Sequence, residues 1–178
     1  MRIDMFRDMQ GNILDVGGGG EGIISALYRE RVTAIDIRKD ELHEVPYPSR
    51  KLVMDASSME FEEESFDHVC AFYSMMFVSK KKHLKVLSEV FRVLKSGGSF
   101  YLWDVNIDRA YPEAFLVSLD VHTTVGNFTP TYGIIEEDAV QSANLFKESC
   151  RSLGFRLVEE SEQEEHFFQH WIKAPMNR

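Results

Sequence analysis

Three carboxylates stand at the ends of short apolar runs: Asp15 in Asn12-Ile13-Leu14-Asp15-Val16, Asp36 after Val32-Thr33-Ala34-Ile35, and Asp55 after Lys51-Leu52-Val53-Met54. Between the first two lies Gly17-Gly18-Gly19-Gly20-Glu21-Gly22, in which Gly17, Gly19 and Gly22 satisfy the G-x-G-x-x-G spacing. A turn of this kind brings a ligand close to the backbone and offers it the free N–H groups of a following helix. A carboxylate closing the second strand can accept both hydroxyls of a ribose, whether in a nicotinamide dinucleotide or in a sulfonium nucleoside. Asp15 separates the two ligands, because a carboxylate two residues before the first glycine repels a pyrophosphate and favours an ammonium or sulfonium. Asp55 is placed to accept from an adenine amino group.

These residues require a scaffold that brings strand ends together. Ile13–Val16 reads as a strand, Ile23–Tyr28 as a helix and Val32–Asp36 as a second strand, which is a βαβ unit and implies a parallel sheet. Residues 51–55 and 67–73 continue the pattern as strands. Leu84, Leu87, Phe91 and Leu94 recur at helical spacing over about 80–95, with Gly97-Gly98 read as the C-terminal cap, and 99–105 is a fifth strand. Ala139, Ala143, Phe146, Cys150 and Leu153 mark one face of a second long helix ended by Gly154. Residues 155–160 and 166–173 read as an antiparallel hairpin. Residues 106–137 are too long for a simple connection. Their runs 115–122 and 129–134 suggest an added hairpin around Gly126-Asn127.

Composition narrows the class. With 178 residues, the chain reads as one domain, 1–178, with 106–137 inserted, and leaves no room for the second domain of a dinucleotide dehydrogenase. Twenty Lys+Arg against 29 Asp+Glu, a net charge of −9, weigh against a nucleic-acid partner and against an anionic membrane surface. Nine of those acids fall in two clusters, 60–64 and 159–165, so the remainder of the chain is balanced. Cys70 and Cys150 lack metal-ligand spacing and read as buried free thiols. The N-terminus has no signal-peptide core, and the longest apolar stretch, 69–78, is too short to span a bilayer; a reduced, cytoplasmic protein is expected.

The sequence resembles the class I S-adenosylmethionine-dependent methyltransferases. The resemblance rests on 13–22, on Ala34-Ile35-Asp36-Ile37, on Met54-Asp55-Ala56, on Ser65-Phe66-Asp67-His68-Val69 and on 89–98, in that order. It covers roughly 11–105, with 138–174 matching the closing elements. It implies a doubly wound, Rossmann-like, mostly parallel sheet with a C-terminal antiparallel hairpin, and S-adenosyl-L-methionine as cofactor. By the same resemblance Asp15, Gly17, Gly18 and Gly19 surround the methionyl part, Asp36 takes the ribose hydroxyls and Ile37 lies against the adenine. Asp55 and Ala56 lie at the adenine edge, and Phe72 and Tyr73 near the sulfonium. Glu21 departs from the pattern, standing where the family more often has its last glycine.

Methyl transfer from an activated donor needs mainly positioning and desolvation; a base is needed only if the acceptor must lose a proton. Tyr73, Asp104 and His122 are the candidate bases, each with an alternative reading as a packing, capping or surface group, so the catalytic residue is left open. Lys80-Lys81-Lys82 with Lys85 reads as a solvated face, with contact to an anionic substrate as the alternative. His166 and His170, on one strand face, are about 13 Å apart at strand rise, too far to share a metal. Ala71-Phe72-Tyr73-Ser74 stands where relatives that methylate adenine or glutamine amino groups carry an Asn/Asp-Pro-Pro-aromatic run. A small-molecule acceptor is therefore expected, with 106–137 as a lid or as a homodimer surface. A non-catalytic cofactor-binding module and a small NAD-binding protein are the alternatives.

Overall fold

The computed structural model describes residues 2–174. In chain order the elements are β1 (Arg2–Met5), β2 (Ile13–Val16), α1 (Ile23–Tyr28), β3 (Val32–Asp36), α2 (Lys39–Glu44), β4 (Arg50–Val53), β5 (Phe66–Phe72), α3 (Lys80–Val93) and β6 (Leu94–Val105). They continue with β7 (Phe115–Ser118), β8 (Asp120–Thr123), β9 (Gly126–Phe128), β10 (Thr131–Ile134), α4 (Ala143–Leu153), β11 (Phe155–Gln163) and β12 (His166–Lys173). The main sheet has the order β11-β12-β6-β5-β2-β3-β4. Strands β2 to β6 run parallel, while β12 pairs antiparallel with both β6 and β11. The order reverses direction between β2 and β5, the crevice where doubly wound sheets bind ligands.

The sheet buries both faces, which is why β2 is buried at every position and reads as an unbroken apolar run apart from Asp15. One face packs Leu14, Val69, Phe100 and Trp171 against Val86, Leu87 and Val90 of α3 and Phe146 and Cys150 of α4. The other packs Ile13, Cys70, Trp103 and Phe168 against α1 and against Ile3, Val117, Val121 and Ile134 of the small strands. Both cysteines are free and buried, as their surroundings imply. No helix among the described residues is long and apolar enough to cross a membrane.

Three local expectations are corrected. Helix α3 ends at Val93, where Leu94 turns extended and pairs with Phe66. Gly97-Gly98 therefore does not cap it; Gly97, at φ 78°, shapes a bulge inside β6, between the Phe66–Leu94 and His68–Ser99 pairs. Ala139 lies outside α4, which begins after Ser142; the Ser142 hydroxyl accepts from the Leu145 amide and fixes that start. The single hairpin expected in 106–137 is two pairings: β7 with β10, and within them β8 with β9, turning at 124–125 rather than at Gly126-Asn127. The N-terminal residues add a strand with no sequence-based expectation behind it: β1 pairs with β8 in parallel, Arg2 opposite Asp120 and Met5 opposite Thr123.

Candidate functional site

The glycine turn is tied down before it meets any ligand. The amides of Gly17 and Gly18 both donate to the Ile35 carbonyl, at 2.8 and 3.1 Å, and the Gly20 amide donates to Glu41 O at 3.0 Å. Three amides of the turn itself are thus used by β3 and α2, and the helix that follows, α1, has only six residues. What glycine supplies here is close approach. Gly17 has φ 71°, and a Cβ on it would lie 2.5 Å from Ser74 Cβ; a Cβ on Gly18 would lie 2.5 Å from Asp15 Oδ2.

The three strand-end carboxylates differ in state. Asp15 is buried, and burial, reinforced by the charge of Asp36, raises its pKa to about 7. Asp36 is half-buried and accepts from the Arg38 amide at 2.9 Å, a local turn that aims its carboxylate beyond the strand. Asp55 accepts from Lys82 Nζ at 2.9 Å and from the Ser57 amide at 2.8 Å, and these bonds hold its pKa at about 2. Lys82 is therefore part of this site, not simply one of a solvated run.

All ten residues expected to bind the cofactor line one cavity of about 1020 Å³: Asp15, Gly17, Gly18, Gly19, Asp36, Ile37, Asp55, Ala56, Phe72 and Tyr73. Ile37 is 67% exposed, an apolar side chain held open to the cavity mouth. Two of the three candidate bases lie elsewhere. Asp104 is fully buried behind the site, where it accepts from the Met75 amide at 2.9 Å and from Gln141 Nε2 at 2.6 Å; burial raises its pKa to about 7. It fixes the turn after β5. His122 lies in β8, its Nε2 2.9 Å from Asp120 Oδ2.

Tyr73 does line the cavity, and in an unusual conformation. Its φ is 48°, its amide donates to the Trp103 carbonyl at 2.8 Å, and its hydroxyl lies 2.9 Å from His166 Nδ1. A non-glycine residue in this region costs of order 1–3 kcal/mol and persists only where its surroundings over-determine it. Burial raises the Tyr73 pKa and lowers that of His166, so the pair is neutral at pH 7. A smaller cavity of about 250 Å³, bordered by Arg7, Trp103, Glu159 and His166, is also lined by Tyr73.

Several lining residues carried no sequence signal. Phe128, Thr131, Tyr132, Gly133 and Glu136 come from the 106–137 segment and cover the glycine turn. Tyr132 stacks on Tyr73 with ring centroids 5.9 Å apart, meets Phe77 edge-on at 6.3 Å, and donates to Glu21 Oε2 at 3.3 Å. Phe128 packs edge-on against Tyr47 at 6.4 Å. The Ser74 hydroxyl is buried in the cavity wall without a hydrogen-bond partner. Tyr132 and His166 lie in runs that read as strands, 129–134 and 166–173, but nothing in the pattern of either run marks them as facing a ligand.

Comparison with known proteins agrees with this geometry. A family described as "Methyltransferase domain" matches residues 14–102, from the first strand of the parallel sheet to the fifth. A curated relative, the sarcosine/dimethylglycine N-methyltransferase of Aphanothece halophytica, is 27% identical over 91% of this chain. The chain spans 58% of that relative's length. Among solved structures, a SAM-dependent methyltransferase from Methanosarcina mazei superposes with TM-score 0.66 at 19% identity, covering 93% of this chain and 94% of the other. An S-adenosylmethionine-dependent methyltransferase from Mesorhizobium loti gives TM-score 0.66 at 11% identity, covering 94% and 93%. The parallel sheet, the glycine turn against β3 and the matched residues together establish that the chain belongs to the methyltransferase-domain family of class I S-adenosylmethionine-dependent methyltransferases.

Proposed function

We propose that this chain transfers a methyl group from S-adenosylmethionine to a small-molecule acceptor held under the β7–β10 segment. The family's cofactor fits the residues present. A buried carboxyl at Asp15, poised near neutrality, suits a cationic ligand and is ionised by it; Asp36 suits a ribose diol; and Ala56 beside the paired Asp55 suits an adenine edge. S-adenosylmethionine supplies the activated methyl group. The chain's own residues do the rest: they fix the ribose and sulfonium ends, close the space with Tyr132 and Phe128, and keep water from the reacting atoms.

The observation that carries the reading is the extent of the cavity. At about 1020 Å³ it exceeds the space that one cofactor fills, and it runs past Phe72 and Tyr73 beneath the strands of the 106–137 segment. That supports a lid over a small acceptor. The Aphanothece relative, named for sarcosine and dimethylglycine, points in the same direction. Calorimetry with S-adenosylhomocysteine tests the first half: the intact chain binds it, and Asp36→Ala weakens binding by about tenfold or more, given roughly 1.5–3 kcal/mol for a hydrogen bond to a charged group. Transfer of labelled methyl to a small-molecule panel tests the second half. Turnover of no compound in a broad panel by a chain that binds S-adenosylhomocysteine would favour the non-catalytic module instead.

A further inference from the structure

The charges around the cavity are divided by position. The only cationic side chains among its described lining residues are Arg38 and Lys82. Both belong to the adenosine end and both are already paired, Arg38 with Glu41 and Lys82 with Asp55. Beyond Tyr73 the lining changes. It includes the rings of Tyr73, Phe77, Phe128 and Tyr132, the buried hydroxyl of Ser74, which has no partner among the described residues, and the carboxylates of Glu136 and of Glu21, the latter accepting from Tyr132. No lysine, arginine or histidine among the described residues lines that end.

Such a wall discriminates by charge. A carboxylate entering it would meet two like charges and find no cation, while an ammonium would find carboxylates at the rim and aromatic π-systems beside it. We propose that the acceptor is an aliphatic or benzylic amine that carries no carboxylate, bound beside the Tyr73–Tyr132–Phe77 wall with Glu21 and Glu136 opposite its nitrogen. This inference rests on the methyltransferase reading above and narrows it, departing from the zwitterionic amino acids for which the Aphanothece relative is named.

The chemistry fits the neutral Tyr73–His166 pair. The acceptor's nitrogen lone pair forms the new N–C bond to the methyl carbon as the C–S bond breaks, and that electron pair stays on sulfur. An acceptor that arrives as its ammonium has no free lone pair and first releases that proton to water at the cavity mouth, which Glu136 borders. A tertiary amine then becomes a quaternary ammonium with no further proton to remove. A secondary amine becomes a tertiary ammonium and releases its proton to water afterwards.

The test is a binding measurement on the whole chain saturated with S-adenosylhomocysteine. N,N-dimethylbenzylamine and dimethylglycine are titrated separately by calorimetry. The amine should bind about tenfold tighter or more, the scale expected for one ammonium on an aromatic wall with a carboxylate nearby. Glu136 is exposed, so its substitution does not threaten folding. Glu136→Gln should weaken the amine about fivefold, and Glu136→Lys should reverse the order of the two ligands. Equal or tighter binding of dimethylglycine by the unaltered chain overturns the proposal, as does binding of neither ligand by a chain that holds S-adenosylhomocysteine. If S-adenosylhomocysteine itself does not bind, the reading beneath the proposal falls and the proposal falls with it.

Discussion

Asp15 places two demands on one side chain. In the free protein burial and the charge of Asp36 raise its pKa to about 7, so protonated and ionised forms are both populated near neutrality. A sulfonium or ammonium ligand favours the ionised form. Affinity for S-adenosylmethionine should therefore rise with pH, by up to tenfold per unit below about 7, and level off above it. Asp15→Asn should abolish most of this dependence and weaken binding, while making the free protein more stable at pH 8, because the uncompensated buried charge is gone. Calorimetry across pH 5.5–8.5 and thermal melts at pH 8 check the two halves. Asp15 was legible from sequence because a carboxylate so close to a glycine turn selects its ligand by charge. His166 was not, since its hydrogen bond to Tyr73 spans 93 residues.

The elements fall into two groups by how they were found. The βαβ units, α3 and the closing hairpin follow from periodicity, since each buries a repeating apolar face. The 106–137 segment resisted because its strands are three or four residues long and two of them pair with partners outside a simple hairpin. Helix α4 shows how a cap overrides periodicity. Ala139 keeps the helical spacing, but Ser142 starts the helix four residues later. Ser142→Ala should destabilise the chain by about 1 kcal/mol, read as a lowered urea midpoint with unchanged slope. Tyr132→Ala acts on a different element. It removes the ring that spans Tyr73, Phe77 and Glu21, and it should make 115–134 more susceptible to limited proteolysis while the parallel sheet stays resistant.

At the level of the whole molecule, two buried carboxyls set the pH response. Asp15 and Asp104 both titrate near 7 when folded, against about 4 when unfolded. Groups with raised folded pKa values stabilise the fold at low pH, and that contribution is lost as pH rises from about 4 to about 7. Asp55, Asp67 and Glu89 are held below their ordinary values and act in the opposite sense, their contribution failing below about pH 4. Burial lowers the pKa of His68, His83, His166 and His170 from the ordinary 6.5, so their contribution grows as pH rises and opposes the two carboxyls. The carboxyl contribution is isolated by urea midpoints of the unaltered chain and of Asp15→Asn at pH 5 and 7.5, where the variant should gain in relative stability toward pH 7.5. The net charge of −9, which weighs against a nucleic-acid partner at the level of the sequence, has a more local counterpart in the fold, where Glu21 and Glu136 border the cavity.

The pairing of β1 with β8 has a consequence for how the chain assembles. Its two strands are separated by 118 residues, from Arg2 to Asp120, whereas neighbouring strands of the parallel sheet are joined over far shorter stretches. During synthesis β1 must wait until residues 120–123 have emerged before it finds its partner. The cover over the cavity therefore forms late, after the surface beneath it has been built. A nascent chain would pass through a stage with a finished nucleoside crevice and no roof, and S-adenosylmethionine present at that stage could bind before the enclosure closes.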